Sequence, residues 1–169
     1  AWRGDEFGQL LGTLEGYLPK EELEGIVAAY EVSAKAHYGQ QRLSGEAYIT
    51  HPIAVAQIVA DLGLPASVIA AALLHDVVED TEYPLEQMTA EFGDEISMIV
   101  DGVTKLTRIE LQSDHAQQAD NFRKLLLAMS EDIRVLLVKL ADRLHDMRTL
   151  RFISDLEKRR RIACAAALS

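Results

Sequence analysis

The sequence predicts an all-α fold, on three observations. Apolar residues recur at helical spacing, most regularly at Ile133, Leu136, Leu137, Leu140, Leu144 and Met147. Glycine and proline divide the chain into segments of helical length, and no run shows the period of two that a half-buried strand requires. Helix-start signals open several segments: a proline with acids in the first turn at Pro19, Glu21 and Glu22, and a capping box at Ser154-Asp155-Leu156-Glu157.

In chain order, Leu18-Pro19-Lys20-Glu21-Glu22 starts a long helix that runs to His37 or Tyr38 and buries Leu23, Ile26, Val27, Tyr30 and Ala34. Residues 39–45 form a polar loop. Thr50 reads as the N-cap of a helix carrying Ile53, Val55, Ala56, Ile58 and Val59, which Gly63 stops. Pro65 opens the next helix, whose apolar run over residues 68–74 delivers His75 and Asp76. Thr81-Glu82-Tyr83-Pro84 is a turn. Two amphipathic segments follow, residues 85–92 and 94–106, divided at Gly93. Residues 107–116 are polar and read as a mobile loop beside a ligand. Residues 120–129 are helical, and Ser130-Glu131-Asp132 caps the helix that carries the apolar stripe. The capping box at 154–157 starts the last helix, where Lys158-Arg159-Arg160-Arg161 is a solvated face. Without repeats, low-complexity tracts or a linker, residues 1–169 read as a single domain.

The composition suits a globular chain: 169 residues, 49% hydrophobic and 26% charged. No apolar run approaches the roughly 20 residues a bilayer requires, and Ala1-Trp2-Arg3-Gly4 has no signal-peptide pattern. Cys164 is the only cysteine, which excludes an internal disulfide and suits a reducing cytoplasm. The net charge is −10, unevenly spread: residues 1–100 hold 4 Lys/Arg against 17 Asp/Glu, residues 101–169 hold 13 against 10. This balance argues against non-specific binding of nucleic acid. A small anion can still bind where a metal and local basic residues invert the field.

Chemistry concentrates at Leu74-His75-Asp76-Val77-Val78-Glu79-Asp80. On a helix His75 and Glu79 are i,i+4 neighbours, as are Asp76 and Asp80, so four proton-transferring or metal-capable groups emerge from about one turn. His51-Pro52 stands at a helix start. Lys139, Asp142, Asp146 and Thr149 share one polar face, expected opposite the buried apolar stripe. Each of these alone is ordinary. Together His51, His75, Asp76 and Asp142 form a His₂Asp₂ set drawn from three helices, a common way to build a metal site in a helical bundle. Two imidazoles with two carboxylates suit Mn²⁺, Fe²⁺ or Zn²⁺ better than Mg²⁺ or Ca²⁺. No cysteine lies near to suggest structural zinc. Glu79 and Asp80, one turn beyond, are placed to orient or deprotonate a water.

The order His51, His75-Asp76, Asp142 resembles the H…HD…D pattern of the HD metal-dependent phosphohydrolases. Four longer phrases are more specific: Arg42-Leu43-Ser44-Gly45-Glu46-Ala47-Tyr48-Ile49-Thr50-His51-Pro52, Leu74-His75-Asp76-Val77-Val78-Glu79-Asp80-Thr81, Val100-Asp101-Gly102-Val103-Thr104-Lys105-Leu106 and Lys139-Leu140-Ala141-Asp142-Arg143-Leu144-His145. They are similar to the hydrolase domain of the RelA/SpoT homologues, enzymes that make and destroy (p)ppGpp, over roughly residues 25–165. The resemblance implies a helical HD-type domain with Mn²⁺ held by His51, His75, Asp76 and Asp142. It gives Glu79 and Asp80 the catalytic role. The implied reaction is hydrolysis of the 3′-pyrophosphate of ppGpp or pppGpp to pyrophosphate and GDP or GTP. Arg42 and Ser44 would contact the guanine nucleotide, Tyr48 would support that pocket, and Asp146 and Thr149 would approach the ribose. Lys139 and Arg143 are left between phosphate contacts and ion pairs; Arg148 reads as an ion pair. The family's long members continue into a synthetase domain, so the chain resembles an excised hydrolase region or a short stand-alone member.

Three positions depart from the family pattern. Ala47 replaces a common proline, Leu43 stands where a polar or basic residue is usual, and Asp146 replaces asparagine. Charge repulsion from Asp146 is expected to weaken a polyanionic ligand by roughly 1 kcal/mol at 8–10 Å, so Asp146→Asn should tighten binding. The alternatives are a catalytically silent regulatory module of a synthetase, and an HD phosphohydrolase for another nucleotide.

Overall fold

The computed structural model describes residues 5–111, 120, 123 and 132–150. Among these are eight helices: α1 (Asp5–Glu15), α2 (Lys20–Ala36), α3 (Thr50–Asp61), α4 (Ala66–Leu74), α5 (Val77–Asp80), α6 (Leu85–Phe92), α7 (Asp94–Leu111) and α8 (Ile133–Thr149). The described residues contain no strand, only an isolated antiparallel bridge between Gln41 and Ala47.

The hub is α4. All seven residues from Val68 to Leu74 are buried, and a helix apolar all round has no face to give to solvent. Accordingly α2, α3 and α7 all pack against it, and α8 touches it as well. Full burial of Ile69, Leu73 and Leu74 contributes about 1.5–3 kcal/mol for each side chain. Helix α1 was not anticipated. Gly4 and the acids Asp5 and Glu6 stand at its start, and Phe7, Leu10 and Leu14 recur at helical spacing and are buried. Phe7 stacks on Tyr30 of α2, with ring centroids 3.8 Å apart.

Local chemistry sets the boundaries. Pro65 precedes α4 and Pro84 precedes α6 in extended conformation. Gly93, at φ 89°, separates α6 from α7, a conformation that glycine adopts without steric cost. Thr50 is the first residue of α3 rather than its cap. Ile49 takes the cap position without a side-chain bond, and the Thr50 hydroxyl donates to the Ala47 carbonyl at 2.8 Å. Asp132 does cap α8, its carboxylate accepting from Arg134 N–H at 2.9 Å. Helix α7 runs on to Leu111, so residues 107–111 are helical rather than loop; no glycine or proline interrupts them. Asp120 and Arg123 are helical. The rest of the loop at 112–119 and of the segment at 120–129, Ser130 and Glu131, the capping box at 154–157, the basic run at 158–161 and Cys164 lie outside the described residues.

One expectation is reversed. Helix α8 does not bury the stripe of large apolar residues. Ile133, Leu140, Leu144 and Met147 are exposed, whereas Lys139 is 2% and Asp142 7% exposed, alongside buried Val135, Val138 and Ala141. The small apolar residues let α8 approach α3 and α7 closely. The charged groups go inward because partners wait there: His51 for Asp142, Thr107 for Lys139. Paired burial of this kind removes most of the desolvation cost that would otherwise turn the face outward.

Candidate active site

Helix α4 ends at Leu74, and His75 and Asp76 occupy a turn before α5 begins at Val77. The helical spacing survives the break, since Asp80 N–H still reaches the Asp76 carbonyl at 2.9 Å. Asp76 and Asp80 therefore stay on one side. His51 enters from the first turn of α3, and Asp142 from the middle of α8.

These elements bring His51, His75, Asp76 and Asp142 together, one ligand-capable atom from each lying within 4.8 Å of the others. His51 Nε2 is 2.7 Å from Asp142 Oδ1 and 3.7 Å from Asp76 Oδ2. His75 Nε2 is 2.9 Å from Asp76 Oδ2 and 3.4 Å from Asp142 Oδ1. Yet His75 Nε2 is buried and makes no aligned hydrogen bond. A buried imidazole nitrogen without an aligned hydrogen bond, set beside two carboxylates, fits a divalent cation among them. Among the protein's own charges, burial opposes ionisation of Asp76 and Asp142. The imidazoles beside them outweigh it and hold both carboxyls below the usual range. Burial likewise opposes a charge on His75, but the two aspartates raise it well above the ordinary histidine value.

On α5, Glu79 is half-buried and Asp80 exposed. Burial and the neighbouring acids raise both above ordinary carboxylates. The Tyr48 hydroxyl donates to Asp76 Oδ2 at 2.6 Å and Asp80 Oδ2 at 3.3 Å. Burial and Asp76 push its pKa up, so it stays a donor. His37 packs against the Tyr48 ring at 4.5 Å and is tied by Nδ1 to Gln40 at 3.0 Å.

Arg42 and Ser44 sit on the short bridged loop before α3. Gly45, at φ 91°, lets this loop turn so that Arg42 N–H reaches the Glu46 carbonyl. The Arg42 guanidinium is engaged, with Nη2 2.7 Å from Asp146 Oδ1 and Nη1 3.1 Å from His145 Nδ1. Ser44 Oγ is buried without a partner. Asp146 also faces Arg143, whose Nη1 is 3.5 Å away. Burial and nearby Asp142 raise its pKa in spite of the two guanidiniums. Thr149 donates back to the His145 and Asp146 carbonyls, both at 3.1 Å. Lys139 resolves as a buried group: its Nζ donates to Thr107 Oγ1 at 2.7 Å and lies 3.5 Å from Asp142 Oδ2. Arg148 is exposed.

Sequence reasoning gave no role to His145, which contacts both His51 and Arg42. Burial, with His51 and Arg42 adding to it, pushes His145 down to about 3, so its ring is neutral. The signal was available: position 145 is three residues after Asp142 and shares its face of the helix.

Residues 29–167 match the family described as "HD domain". The chain is 47% identical over 157 residues to the bifunctional (p)ppGpp synthase/hydrolase SpoT of Escherichia coli (strain K12), covering 93% of this chain and 22% of that protein. It is 54% identical over 132 residues to the guanosine-3′,5′-bis(diphosphate) 3′-pyrophosphohydrolase of Haemophilus influenzae, covering 78% of this chain and 19% of that one. The chain thus spans about a fifth of the length of these relatives. A solved structure, described as a metazoan ortholog of SpoT that hydrolyzes ppGpp, superposes with a TM-score of 0.66 at 25% identity, covering 89% of this chain and 84% of that chain.

Proposed function

The chain belongs to the HD-domain family, and from that premise we propose that it hydrolyses the 3′-pyrophosphate of ppGpp or pppGpp, releasing pyrophosphate and GDP or GTP. The observation that carries this reading is the meeting of His51, His75, Asp76 and Asp142, with Glu79 and Asp80 one turn beyond and Arg42 alongside. In this reading the four groups hold Mn²⁺, to which their mixed nitrogen and oxygen donors are suited. The ion supplies Lewis acidity towards a phosphoryl oxygen and a water.

The rest falls to the chain's own side chains. Glu79 and Asp80 orient the attacking water and take its proton, a task favoured by pKa values above those of ordinary carboxylates. Tyr48 serves the catalytic side rather than the base pocket, since its hydroxyl holds Asp76 and Asp80 together. Arg42 and Ser44 contact the nucleotide, Ser44 with a hydroxyl not committed elsewhere. Asp146 and Thr149 border the ribose, Asp146 by holding Arg42. The 169 residues form one hydrolase domain, which in a longer protein precedes a synthetase domain. Its place is the cytoplasm; no helix among the described residues is long and apolar enough to cross a membrane.

Incubation with ppGpp, with and without Mn²⁺, followed by identification of the products, tests the reading. Pyrophosphate and GDP in the presence of Mn²⁺ are expected. Orthophosphate would assign the domain to another phosphate bond, and no turnover would make it a silent module.

A further inference from the structure

A histidine that ligates a metal must offer an unprotonated nitrogen, and which nitrogen that is depends on what holds the other one. For His75 the backbone decides. Its Nδ1 lies 2.6 Å from the Ala72 carbonyl oxygen. A carbonyl only accepts, so Nδ1 carries the proton and Nε2 is left facing the aspartates.

No carbonyl does this for His51. Its Nδ1 instead lies 2.8 Å from Nδ1 of His145. Two ring nitrogens at that distance share one proton, and either could own it. Arg42 breaks the symmetry: its Nη1 lies 3.1 Å from the same His145 nitrogen. A guanidinium can only donate, so His145 Nδ1 must be the acceptor, and the shared proton belongs to His51.

We propose that His145 is a positioning residue, whose Nδ1 lone pair takes the Nδ1–H of His51 and commits His51 to presenting Nε2 towards Asp76 and Asp142. Both imidazoles then arrive at the site in the same tautomer, one fixed by backbone and one by a side chain. The arrangement spans three segments: Arg42 on the loop, His51 on α3 and His145 on α8. His145 pairs with neither Asp76 nor Asp142, and acts on the ligand cluster through His51. The proposal rests on the reading of His51 as a metal ligand.

Two measurements test it, one of them independent of metal. In metal-free protein, ¹⁵N-resolved imidazole spectra should show a proton on His51 Nδ1, an unprotonated His145 Nδ1 and a scalar coupling across the bond between them. A proton on His145 Nδ1 would overturn the proposal whether or not metal binds. The second measurement is Mn²⁺ affinity by calorimetry on folded variants. His145→Leu removes the acceptor and should weaken binding by about 10–100-fold, the usual effect of losing a ligand's outer hydrogen bond. His145→Asn places Oδ1 near the lost nitrogen and should restore affinity to within severalfold of the parent. Equal affinity in parent and His145→Leu would overturn the proposal. A parent chain that binds no Mn²⁺ would instead overturn the metal reading, with the spectra still deciding which histidine holds the proton.

Discussion

At position 146, charge sign alone leaves out what the carboxylate holds. Taken by itself, an aspartate near a polyanion repels it, and Asp146→Asn should then bind nucleotide more tightly. The structure gives that carboxylate two guanidinium partners, Arg42 at 2.7 Å and Arg143 at 3.5 Å. Its charge is already matched, and what it supplies is a fixed position for Arg42. We therefore expect Asp146→Asn to raise the Kd for ppGpp severalfold, because an amide holds a guanidinium less strongly than a carboxylate does. Titrations at two salt concentrations check this, and tighter binding in the mutant would restore the repulsion argument. At Glu79 and Asp80 the expectation is a separation of binding from chemistry. The double variant Glu79→Gln, Asp80→Asn should keep Mn²⁺ and nucleotide affinity but turn over at least on the order of 10² more slowly. Turnover within severalfold of the parent would place the base elsewhere.

Among the elements, α8 carries the sharpest lesson about what a sequence discloses. Gly63, Pro65 and Gly93 announce their boundaries because backbone conformation is a local property. The orientation of α8 is not local. Periodicity identifies a stripe at Ile133, Leu136, Leu137, Leu140, Leu144 and Met147, but burial is decided by partners 32 and 91 positions away. With the contacts to His51 and Thr107 unseen, the face that carries Lys139 and Asp142 read as the one opposite the buried stripe. The four residues of the candidate metal cluster could be picked out by their order and spacing; the inward turn of α8 that brings Asp142 to the other three could not. The same contact explains a glycine. A Cβ on Gly102 of α7 would lie 2.7 Å from Val135 Cγ2 of α8, and a β-branched residue in a helix cannot swing aside freely. Gly102→Ala should destabilise the fold by about 1–3 kcal/mol through overpacking. Adding Val135→Ala should recover part of that loss. Denaturant unfolding of the two single variants and the double variant measures it; a Gly102→Ala chain as stable as the parent would mean the two helices part without cost.

At the scale of the whole molecule, α4 is the centre because its sequence offers no polar face, whereas α1 went unread despite Gly4, the acids Asp5 and Glu6 at its start and a regular Phe7, Leu10, Leu14 spacing. The candidate site draws on α3, the α4–α5 turn and α8 together, so a ligand there acts on global stability. At free Mn²⁺ near 100 times Kd, the native state gains about 2.7 kcal/mol, which for a domain of this size moves Tm by roughly 5–10 °C. A chelator should reverse the shift. Asp142→Asn should abolish it while leaving the chain folded, since the amide fills the same buried volume and its Nδ2 can donate to His51 Nε2. A parent Tm indifferent to saturating Mn²⁺ would remove the cluster from consideration as a metal site.

His51 and Asp142 stand 91 positions apart in the chain yet lie 2.7 Å from one another. A chain with a single cysteine has no internal covalent bridge to close such a loop. An ion gripped by both residues would act as a detachable staple: cross-linking a loop of that length confines the unfolded chain by an amount worth about 4–5 kcal/mol on the polymer view of a disulfide. Unlike a disulfide it can be withdrawn without a redox reaction. The helices on either side of the seam would then be fastened only while the ion is bound.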